Sequence, residues 1–403
     1  MKLLYLTFSP LDNPSGHLAR LVYELQPMST LNKITIVCLR KGVDSGETKN
    51  KYPNISFLNI DTVFDGWEIT NLREVMVKIS NIVKDFSPDL TILQMEVWEL
   101  LRELRIALKG LTVFAAGLHA MPFLVSPLKP SGDFEKDVID YLSSGLEDYK
   151  RNYISRHYAE AKEVFYDTAI IAQYPTVEYL VKAYFPMAHV WTLTPSILAE
   201  APPILTRKSL VYDFVYMARM ERGKGVEYLD LILKKIAHLL GRKIKVAVMG
   251  KCDDNFSKQA LAELLEKSKE NIWYEMEFSG WADSEKKIEI LSKSRVFLYP
   301  SHYDTLATVV HEALAVGLPC VLWDVLFSQL NYSSNRAVLR APLLDFDSFA
   351  GLAIRAYNDY SSLGTAALKY VQNSKTPQEI AELDTKLYAS IVADEHERHT
   401  GRI

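Results

Sequence analysis

Two acidic residues, Asp304 and Glu312, stand eight positions apart in the segment YPSHYDTLATVVHEALAVGLPCVLWD. The apolar pattern of this segment predicts a buried strand, a loop, a helix that opens over residues 305–309 and a second strand. The first N–H groups of such a helix and the positive end of its dipole suit an anion such as a diphosphate. Asp304 would lie in the loop beside the ligand, and Glu312 on the helix face toward it. The alternative is purely structural, with Asp304 capping the helix and Glu312 solvated.

A basic pair, Arg219 and Lys224, lies earlier in the chain in the segment YMARMERGKGVEYL. A buried strand is predicted to end at Ala218, so both cations would lie at the carboxyl end of the first strand of a second domain. A planar guanidinium and a lysine point charge together suit a diphosphate leaving group without a metal ion. A basic surface turn is the alternative, and the acidic segment farther along the same predicted sheet favours the ligand site.

The N-terminal part of the chain offers two further candidates. Gly16 ends the loop DNPSG before the predicted helix HLARLVYEL, where a phosphate could approach, although an Asx turn with an N-cap explains the same residues. His119 follows the predicted strand LTVFAAG and would point toward the carboxyl edge of its sheet. His119 could contact a transferred group or its leaving oxygen, or it could be a structurally satisfied histidine.

The elements that must position these residues alternate between short apolar strands and longer helical patterns. Such alternation is typical of a parallel sheet wrapped by helices, in which ligands bind at the carboxyl ends of the strands. The pattern runs twice, which predicts two doubly wound α/β domains that face a cleft. The predicted strands are Lys2–Thr7, Ile34–Leu39, Ile55–Ile60, Asp89–Leu93, Leu111–Ala116, Thr168–Ala172, Val190–Leu193, Tyr212–Met217, Ile244–Met249, Tyr274–Phe278, Val296–Tyr299 and Pro319–Leu322.

A polar stretch with two prolines, SILAEAPPILTRKSL, interrupts the alternation and marks the domain junction. We therefore expect an N-terminal domain over residues 1–200 and a C-terminal domain over 201–375. The tail, residues 376–403, is expected to be helical to about Asp394 and to pack back on the N-terminal domain. Residues 128–166 are predicted to be a helical elaboration, which either faces the cleft or is solvated and without function.

The composition is that of an ordinary folded chain, with 48% hydrophobic and 24% charged residues among 403, and it excludes disordered and fibrous classes. A net charge of −4 without a local basic cluster argues against a nucleic-acid partner. Three scattered cysteines, Cys38, Cys252 and Cys320, lie in or beside apolar runs, which favours a reducing, cytoplasmic compartment. No apolar stretch reaches the ~18 residues that span a bilayer, while attachment to the inner face of the membrane stays open.

Taken together, these segments resemble glycosyltransferase family four, the retaining group 1 transferases of GT-B fold. The resemblance runs in order through nearly the whole chain, and it implies two Rossmann-like α/β domains. It rests on PSG before the first helix, the Arg219 to Lys224 spacing with Gly225, KVAVMG, FSGWADSEKKIEILSKSRVFLYPS and DTLATVVHEALAVGLPCV. The last of these corresponds to the family's Glu-x7-Glu signature.

The resemblance implies a role for each candidate residue. Glu312 would hold the ribose of a nucleotide-sugar donor, while Asp304 would face the transferred sugar and His119 would lie near its anomeric centre. Together with Arg219 and Lys224, which would hold the diphosphate, Asp304 and His119 make up the implied catalytic set. The other implied donor contacts are Gly16, Gly250, Trp281 and Ala282 in the turn for the base, and the backbone of Thr305, Leu306 and Ala307.

The implied reaction is transfer of a hexose, with retention at the anomeric carbon, from a UDP- or GDP-linked sugar to an acceptor hydroxyl. No cofactor and no metal ion is implied, and Asp253 and Asp254 are interpreted as a turn rather than a metal motif. The acceptor is open and would be a glycan, a lipid or a small molecule.

Three positions depart from the family pattern: Asp304 stands where glutamate is usual, and Thr305 and Ala307 stand where glycine is frequent. These changes alter the sugar pocket and would either shift donor preference or reduce activity. Two alternatives to the transferase therefore stay open. One is an enzyme resembling a nucleotide-sugar epimerase or a phosphorylase, and the other is an idle GT-B protein that binds nucleotide or serves as a scaffold.

Overall fold

The computed structural model describes residues 1–8, 17–40, 52–65, 68–94, 98–118, 131–137, 158–194, 209–220, 223–252 and 255–400. These residues form two compact units. Unit 1 comprises the described residues up to 194 together with residues 375–400, and unit 2 comprises the described residues from 209 to 374. Each unit has its own buried apolar core.

Unit 1 contains a seven-stranded parallel sheet. Its strands are β1 (Lys2–Thr7), β2 (Lys33–Cys38), β3 (Ile55–Asn59), β6 (Leu90–Gln94), β7 (Val113–Leu118), β8 (Ala169–Ala172) and β9 (Val190–Thr192), and a separate antiparallel hairpin consists of β4 (Phe64–Asp65) and β5 (Glu68–Ile69). Helices α1 (His17–Leu31), α2 (Leu72–Phe86), α3 (Trp98–Ala107) and α4 (Pro175–Tyr184) lie between these strands in the chain. The sheet order is β3-β2-β1-β6-β7-β8-β9. The central strands β1 and β6 are buried almost throughout, as expected for a sheet that is covered on both faces.

Unit 2 contains a six-stranded parallel sheet. Its strands are β10 (Tyr212–Met220), β11 (Ile244–Cys252), β12 (Tyr274–Phe278), β13 (Ser294–Tyr299), β14 (Cys320–Trp323) and β15 (Val338–Ala341). Its α-helices are α5 (Leu229–Leu240), α6 (Asn255–Lys269), α7 (Ser284–Ser292), α8 (Thr308–Ala315), α9 (Leu326–Tyr332), α10 (Phe346–Asn358) and α11 (Tyr360–Gln372). The sheet order, β12-β11-β10-β13-β14-β15, is the 3-2-1-4-5-6 order of dinucleotide-binding sheets.

The last helix, α12 (Pro377–Thr400), belongs to unit 1. The phenol of Tyr388 lies 3.3 Å from that of Tyr5 on β1, and the carboxylate of Asp384 accepts a 2.9 Å hydrogen bond from the N–H of Thr194. The helix continues beyond the predicted end at Asp394. Its last turns are stabilised by Glu395, which is buried and pairs with an arginine one turn farther along.

The predicted α/β class with two parallel sheets is confirmed, and every predicted strand is present within a few residues of its expected bounds. Sequence patterning missed β15 and the hairpin β4–β5. Both are short, and the charged side chains within them hide the apolar pattern that strands usually show. Within the described ranges, no helix combines the length and apolar character needed to cross a bilayer.

Candidate functional site

The candidate residues of unit 2 gather where two neighbouring strands end. β10 and β13 are adjacent, and the sheet continues from them in opposite directions, to β11 on one side and to β14 on the other. Such a topological switch point is where open α/β sheets bind their ligands. Lys224 lies in the loop after β10 and Asp304 in the loop after β13, and the two are in contact. The fold therefore brings together the two segments that the sequence singled out.

The turn that carries Lys224 is pinned to the loop after β13. The carbonyl of Gly223 accepts a 2.8 Å hydrogen bond from the N–H of His302. Gly225 has a φ of +87°, and a Cβ at this position would lie 2.2 Å from the carbonyl oxygen of Pro300. Because no side chain fits there, the close approach of the two loops requires glycine.

The ammonium of Lys224 is enclosed by acceptors from the β13 loop. It donates to Oδ2 of Asp304 and to the carbonyl of Tyr303, each at 3.0 Å, and it lies 4.8 Å from the centroid of the Tyr303 ring. The backbone of Lys224 is also held, because the phenol of Tyr216 donates a 3.1 Å hydrogen bond to its carbonyl. The result is a fixed cation at the end of the sheet.

Asp304 uses both of its carboxylate oxygens inside the protein. Oδ2 accepts a 2.7 Å hydrogen bond from the phenol of Tyr299 besides that from Lys224, and Oδ1 accepts one from the N–H of Thr305 at 2.8 Å. Burial raises the pKa of this carboxyl, but the Lys224 charge and the three hydrogen bonds outweigh burial and lower the net pKa below its ordinary value. Burial and the Asp304 charge hold the pKa of Tyr299 well above its usual value. Tyr299 is therefore a donor and Asp304 an anion near neutral pH.

The loop between Asp304 and α8 differs from the prediction of a helix that opens at residue 305. The helix begins at Thr308, and its N-cap is Ala307 with φ 61° and ψ 69°. Asp304 is therefore not the N-cap, since its carboxylate accepts instead from the adjacent Thr305 N–H. Left-handed backbone costs a residue with a Cβ about 1 kcal/mol, so neighbouring contacts must hold Ala307 in place.

Two residues of α9 provide such contacts. Nδ2 of Asn331 donates to the carbonyl of Thr305 at 3.0 Å. The phenol of Tyr332, which is buried, donates to the carbonyl of Leu306 at 2.6 Å and has the carbonyl of Ala307 at 3.2 Å. Three successive carbonyls of the loop therefore face α9.

Glu312 lies on α8 and has one paired and one unpaired carboxylate oxygen. Oε1 accepts a 2.7 Å hydrogen bond from Nζ of Lys287 on α7. Oε2 is buried, and in the part of the chain that the structure describes it has no hydrogen-bond partner. A buried carboxylate oxygen in this state is costly, so Oε2 is suited to accept from the hydroxyls of a ligand.

Gly250 and the turn predicted to hold a base meet beside β10. The N–H of Gly250 donates a 2.8 Å hydrogen bond to the carbonyl of Gly280. Gly250 has a φ of +149°, and a Cβ there would lie 2.0 Å from the carbonyl oxygen of Ala218, so this approach also requires glycine. The turn presents the ring of Trp281, which is 68% exposed, next to the half-buried Ala282.

Arg219 lies inside β10, because this strand continues to Met220 rather than ending at Ala218. Its Cα partner on β11 is Lys251, and both side chains are exposed. Two exposed basic side chains thus lie on neighbouring strands near the carboxyl ends of β10 and β11. The remaining candidates, His119 and Gly16, lie outside the described residues, as do Asp253 and Asp254.

Two histidines near these loops are neutral because they are buried. Burial lowers the pKa of His302 and that of His311 to about 4. The ring of His302 stacks on Tyr228 with centroids 5.0 Å apart, and the ring of His311 packs edge-on against Tyr332 at 5.2 Å. Neither ring nitrogen of His311 has a hydrogen-bond partner within the described ranges.

Sequence reasoning missed several residues that contact the candidates, among them Lys287, Tyr299, Asn331 and Tyr332. Tyr299 carried a signal, because a tyrosine at the end of a buried strand needs a partner for its hydroxyl. The other three act across elements that are distant in the chain, and local patterning carries no sign of them.

Comparison with known proteins narrows the interpretation. Residues 201–337 match the family model described as glycosyl transferases group 1. No match was found among curated protein sequences.

Solved structures resemble the chain over nearly its whole length. The sucrose-phosphate synthase of Thermosynechococcus elongatus has a TM-score of 0.70 at 14% identity, with 98% of this chain and 100% of that chain covered. A glycosyltransferase from Rickettsia africae has a TM-score of 0.68 at 12% identity, covering 97% and 98%. Anabaena HepE in complex with UDP and glucose has a TM-score of 0.62 at 13% identity, covering 97% and 100%. Together with the two parallel sheets, these likenesses show the GT-B fold.

Proposed function

We propose that this protein transfers a hexose from a UDP- or GDP-linked sugar to an acceptor hydroxyl, with retention at the anomeric carbon. The match of residues 201–337 to group 1 glycosyl transferases supports glycosyl transfer from a nucleotide sugar. A similar protein of known structure, Anabaena HepE, was solved with UDP and glucose. The same class of donor is proposed for unit 2 of this chain.

The observation that carries the proposal is the state of Glu312. Lys287 fixes one carboxylate oxygen at 2.7 Å, which orients the side chain before any ligand arrives. The other oxygen is buried and is left without a hydrogen-bond partner in the described structure. A carboxylate that accepts from ribose hydroxyls satisfies this oxygen, and a donor that lacks the ribose does not.

Positive charge for the diphosphate comes from three sources in this proposal. Lys224 supplies a fixed ammonium, Arg219 an exposed guanidinium, and the loop before α8 supplies N–H groups at a helix N-terminus. Asp304 accepts from Lys224, Tyr299 and Thr305, so we assign it the role of orienting Lys224 as well as facing the sugar. These groups stabilise the charge that develops on the departing phosphate, and no metal ion is needed.

The reaction then follows the face-retaining path. The acceptor oxygen forms a bond to the anomeric carbon on the face from which the nucleotide diphosphate departs, and the bond from that carbon to the phosphate oxygen breaks. The proton of the acceptor hydroxyl leaves with the diphosphate. Such a path requires placement and electrostatic stabilisation rather than a protein nucleophile.

Thermal shift against UDP, GDP, ADP and their sugars tests the donor site, since a ligand at 100 times its Kd adds about 2.7 kcal/mol of stability. We expect nucleotides of one base to raise the melting temperature of the protein, and we expect Glu312→Ala to abolish this rise. The control is Glu263→Ala, at an exposed glutamate on α6, which should leave the rise unchanged. Release of nucleotide from the sugar donor, with the product anomer assigned by proton NMR, then tests transfer. If no nucleotide raises the melting temperature, the proposed donor site is wrong. If a nucleotide raises it but no nucleotide is released from the sugar donor, the result favours an idle binding protein.

A further inference from the structure

The loop of Thr305, Leu306 and Ala307 keeps a backbone shape that its sequence does not favour. Ala307 has φ 61° and ψ 69°, which glycine adopts freely and alanine does not. Leu306 and Ala307 are both buried, at 3% exposure. A specific contact must therefore select this conformation over the alternatives open to an alanine.

Tyr332 is placed to make that selection. Its hydroxyl lies 2.6 Å from the carbonyl of Leu306 and 3.2 Å from that of Ala307. These two carbonyls belong to the peptide planes on either side of the Ala307 Cα, and the angle between the planes is what φ and ψ of Ala307 describe. One buried hydroxyl thus contacts both of the peptide planes whose relative orientation φ and ψ of Ala307 describe, with the shorter contact to the Leu306 carbonyl.

Asn331 extends the same control by one peptide. It donates to the carbonyl of Thr305 at 3.0 Å and to the carbonyl of Phe327 in its own helix at 2.8 Å. The hydrogen bond to Phe327 fixes the direction of the Asn331 amide within α9. The hydrogen bond to Thr305 therefore restrains the loop. Contacts from α9 thus reach three successive peptide planes of the loop, and the Ala307 carbonyl also accepts a 2.9 Å hydrogen bond from the N–H of Val310 in α8.

The carbonyl direction decides the N–H direction. In a trans peptide the carbonyl of one residue and the N–H of the next point to opposite sides. Because the carbonyls of Thr305, Leu306 and Ala307 face α9, the N–H groups of Leu306, Ala307 and Thr308 face away from it. A left-handed residue followed by a helical one turns successive N–H groups to the same side, which makes a concavity for an anion.

We propose that Tyr332 and Asn331 are positioning residues for the diphosphate of the donor, holding Ala307 left-handed so that this row of N–H groups points at the phosphate. The inference rests on the proposed function, because it takes its anion from there. It also answers the question raised by the missing glycines: α9 supplies through side chains the conformation that glycine would reach unaided. The departure at Ala307 therefore leaves the phosphate loop intact.

The test combines Tyr332→Phe, which removes only the hydroxyl, with Ala307→Gly, which makes the left-handed backbone free of strain. Calorimetric titration with UDP and with GDP identifies the nucleotide that the wild-type protein binds. Tyr332→Phe is expected to raise its Kd about tenfold, a change of 1.4 kcal/mol. Adding Ala307→Gly to Tyr332→Phe is expected to restore the Kd to about threefold of wild type or better.

Rescue separates positioning from a general loss of stability, because a glycine cannot repair a damaged core. Wild-type affinity in Tyr332→Phe, or weak binding that Ala307→Gly does not restore, overturns the inference while leaving the proposed function in place. A wild-type protein that binds neither nucleotide defeats the proposed function, and the diphosphate role with it. Urea unfolding without ligand tests the role of Tyr332 in the loop conformation by itself. Ala307→Gly should raise the free energy of unfolding more in the Tyr332→Phe protein than in wild type, and equal effects in the two backgrounds would refute this role.

Discussion

The ammonium of Lys224 lies 3.0 Å from Oδ2 of Asp304, and the two side chains are only 10% and 20% exposed. Removing one partner of a buried ion pair leaves the other charged and uncompensated. We expect Lys224→Met to destabilise the protein by about 3 kcal/mol, as measured by urea unfolding at pH 7. The double variant Lys224→Met/Asp304→Asn carries neither charge and is expected to recover part of this loss.

The control for this pair is Lys269→Met, which breaks the exposed pair with Glu266 and should cost less than about 1 kcal/mol. Equal effects of Lys224→Met and Lys269→Met would show that the buried pair is not special.

Because the pKa of Asp304 is lowered in the folded state, its contribution to the free energy of unfolding is full above the unfolded aspartate pKa, near 4. This contribution is lost as the pH falls through the folded value.

His311 makes the protein less stable as the pH falls below neutrality. Its folded pKa is about 4, whereas in the unfolded chain it takes up a proton near pH 6.5, so protons favour unfolding between these two values. The resulting loss in the free energy of unfolding is about 3 kcal/mol at pH 4. Unfolding free energies of His311→Leu, measured from pH 7.5 to 4.5, should decline less steeply than those of wild type.

His238→Gln, at an exposed histidine of α5, is the matched variant for comparison. Parallel curves for wild type and His311→Leu would mean that the buried ring is not a source of the pH dependence.

Gly225 and Gly351 should respond in opposite ways to the same substitution. A Cβ at Gly225 meets the Pro300 carbonyl at 2.2 Å in left-handed backbone, while a Cβ at Gly351, inside α10, meets nothing within 4 Å. Gly225→Ala should lower the melting temperature, and Gly351→Ala should raise it by adding about 1 kcal/mol of helix stability. A tolerated Gly225→Ala would show that the loops after β10 and β13 can separate.

Lys287 should matter for nucleotide binding although sequence reasoning passed over it. It fixes one oxygen of Glu312 at 2.7 Å, so Lys287→Met should raise the Kd of the bound nucleotide about tenfold, measured by calorimetric titration. Its neighbour Lys286 is half exposed and pairs with Glu289 on its own helix. Lys286→Met therefore serves as the control, and equal Kd values for the two variants would remove Lys287 from the site.

The strands of both sheets could be predicted because a parallel sheet covered on both faces needs uninterrupted apolar runs, such as KLLYLT and KVAVM. The short strand β15, with Arg340 inside it, gives no such run. Helix starts were harder. The prediction of a helix from residue 305 failed because Ala307 is left-handed, a conformation that the identity of an alanine does not suggest.

For the candidate site, the sequence indicated residue types at the strand ends but not the contacts between them. Glycine, lysine and acidic residues at strand ends indicated Lys224, Asp304 and Glu312. Oδ2 of Asp304 accepts one hydrogen bond from Lys224 and another from Tyr299, and this arrangement depends on the packing of β13 against β10. Such contacts join positions far apart in the chain, and a single sequence carries little record of them.

The return of α12 to unit 1 has a consequence for synthesis on the ribosome. The described part of unit 2, residues 209 to 374, is an insertion, since it emerges between Thr194 and the helix that pairs Tyr388 with Tyr5. Domains generally fold as they emerge, so unit 2 can be folded before Tyr388 is synthesised and can contact Tyr5. Strand β1 is thus among the last to be fully buried. A ribosome that stalls within α12 carries a folded unit 2 and an incompletely folded unit 1.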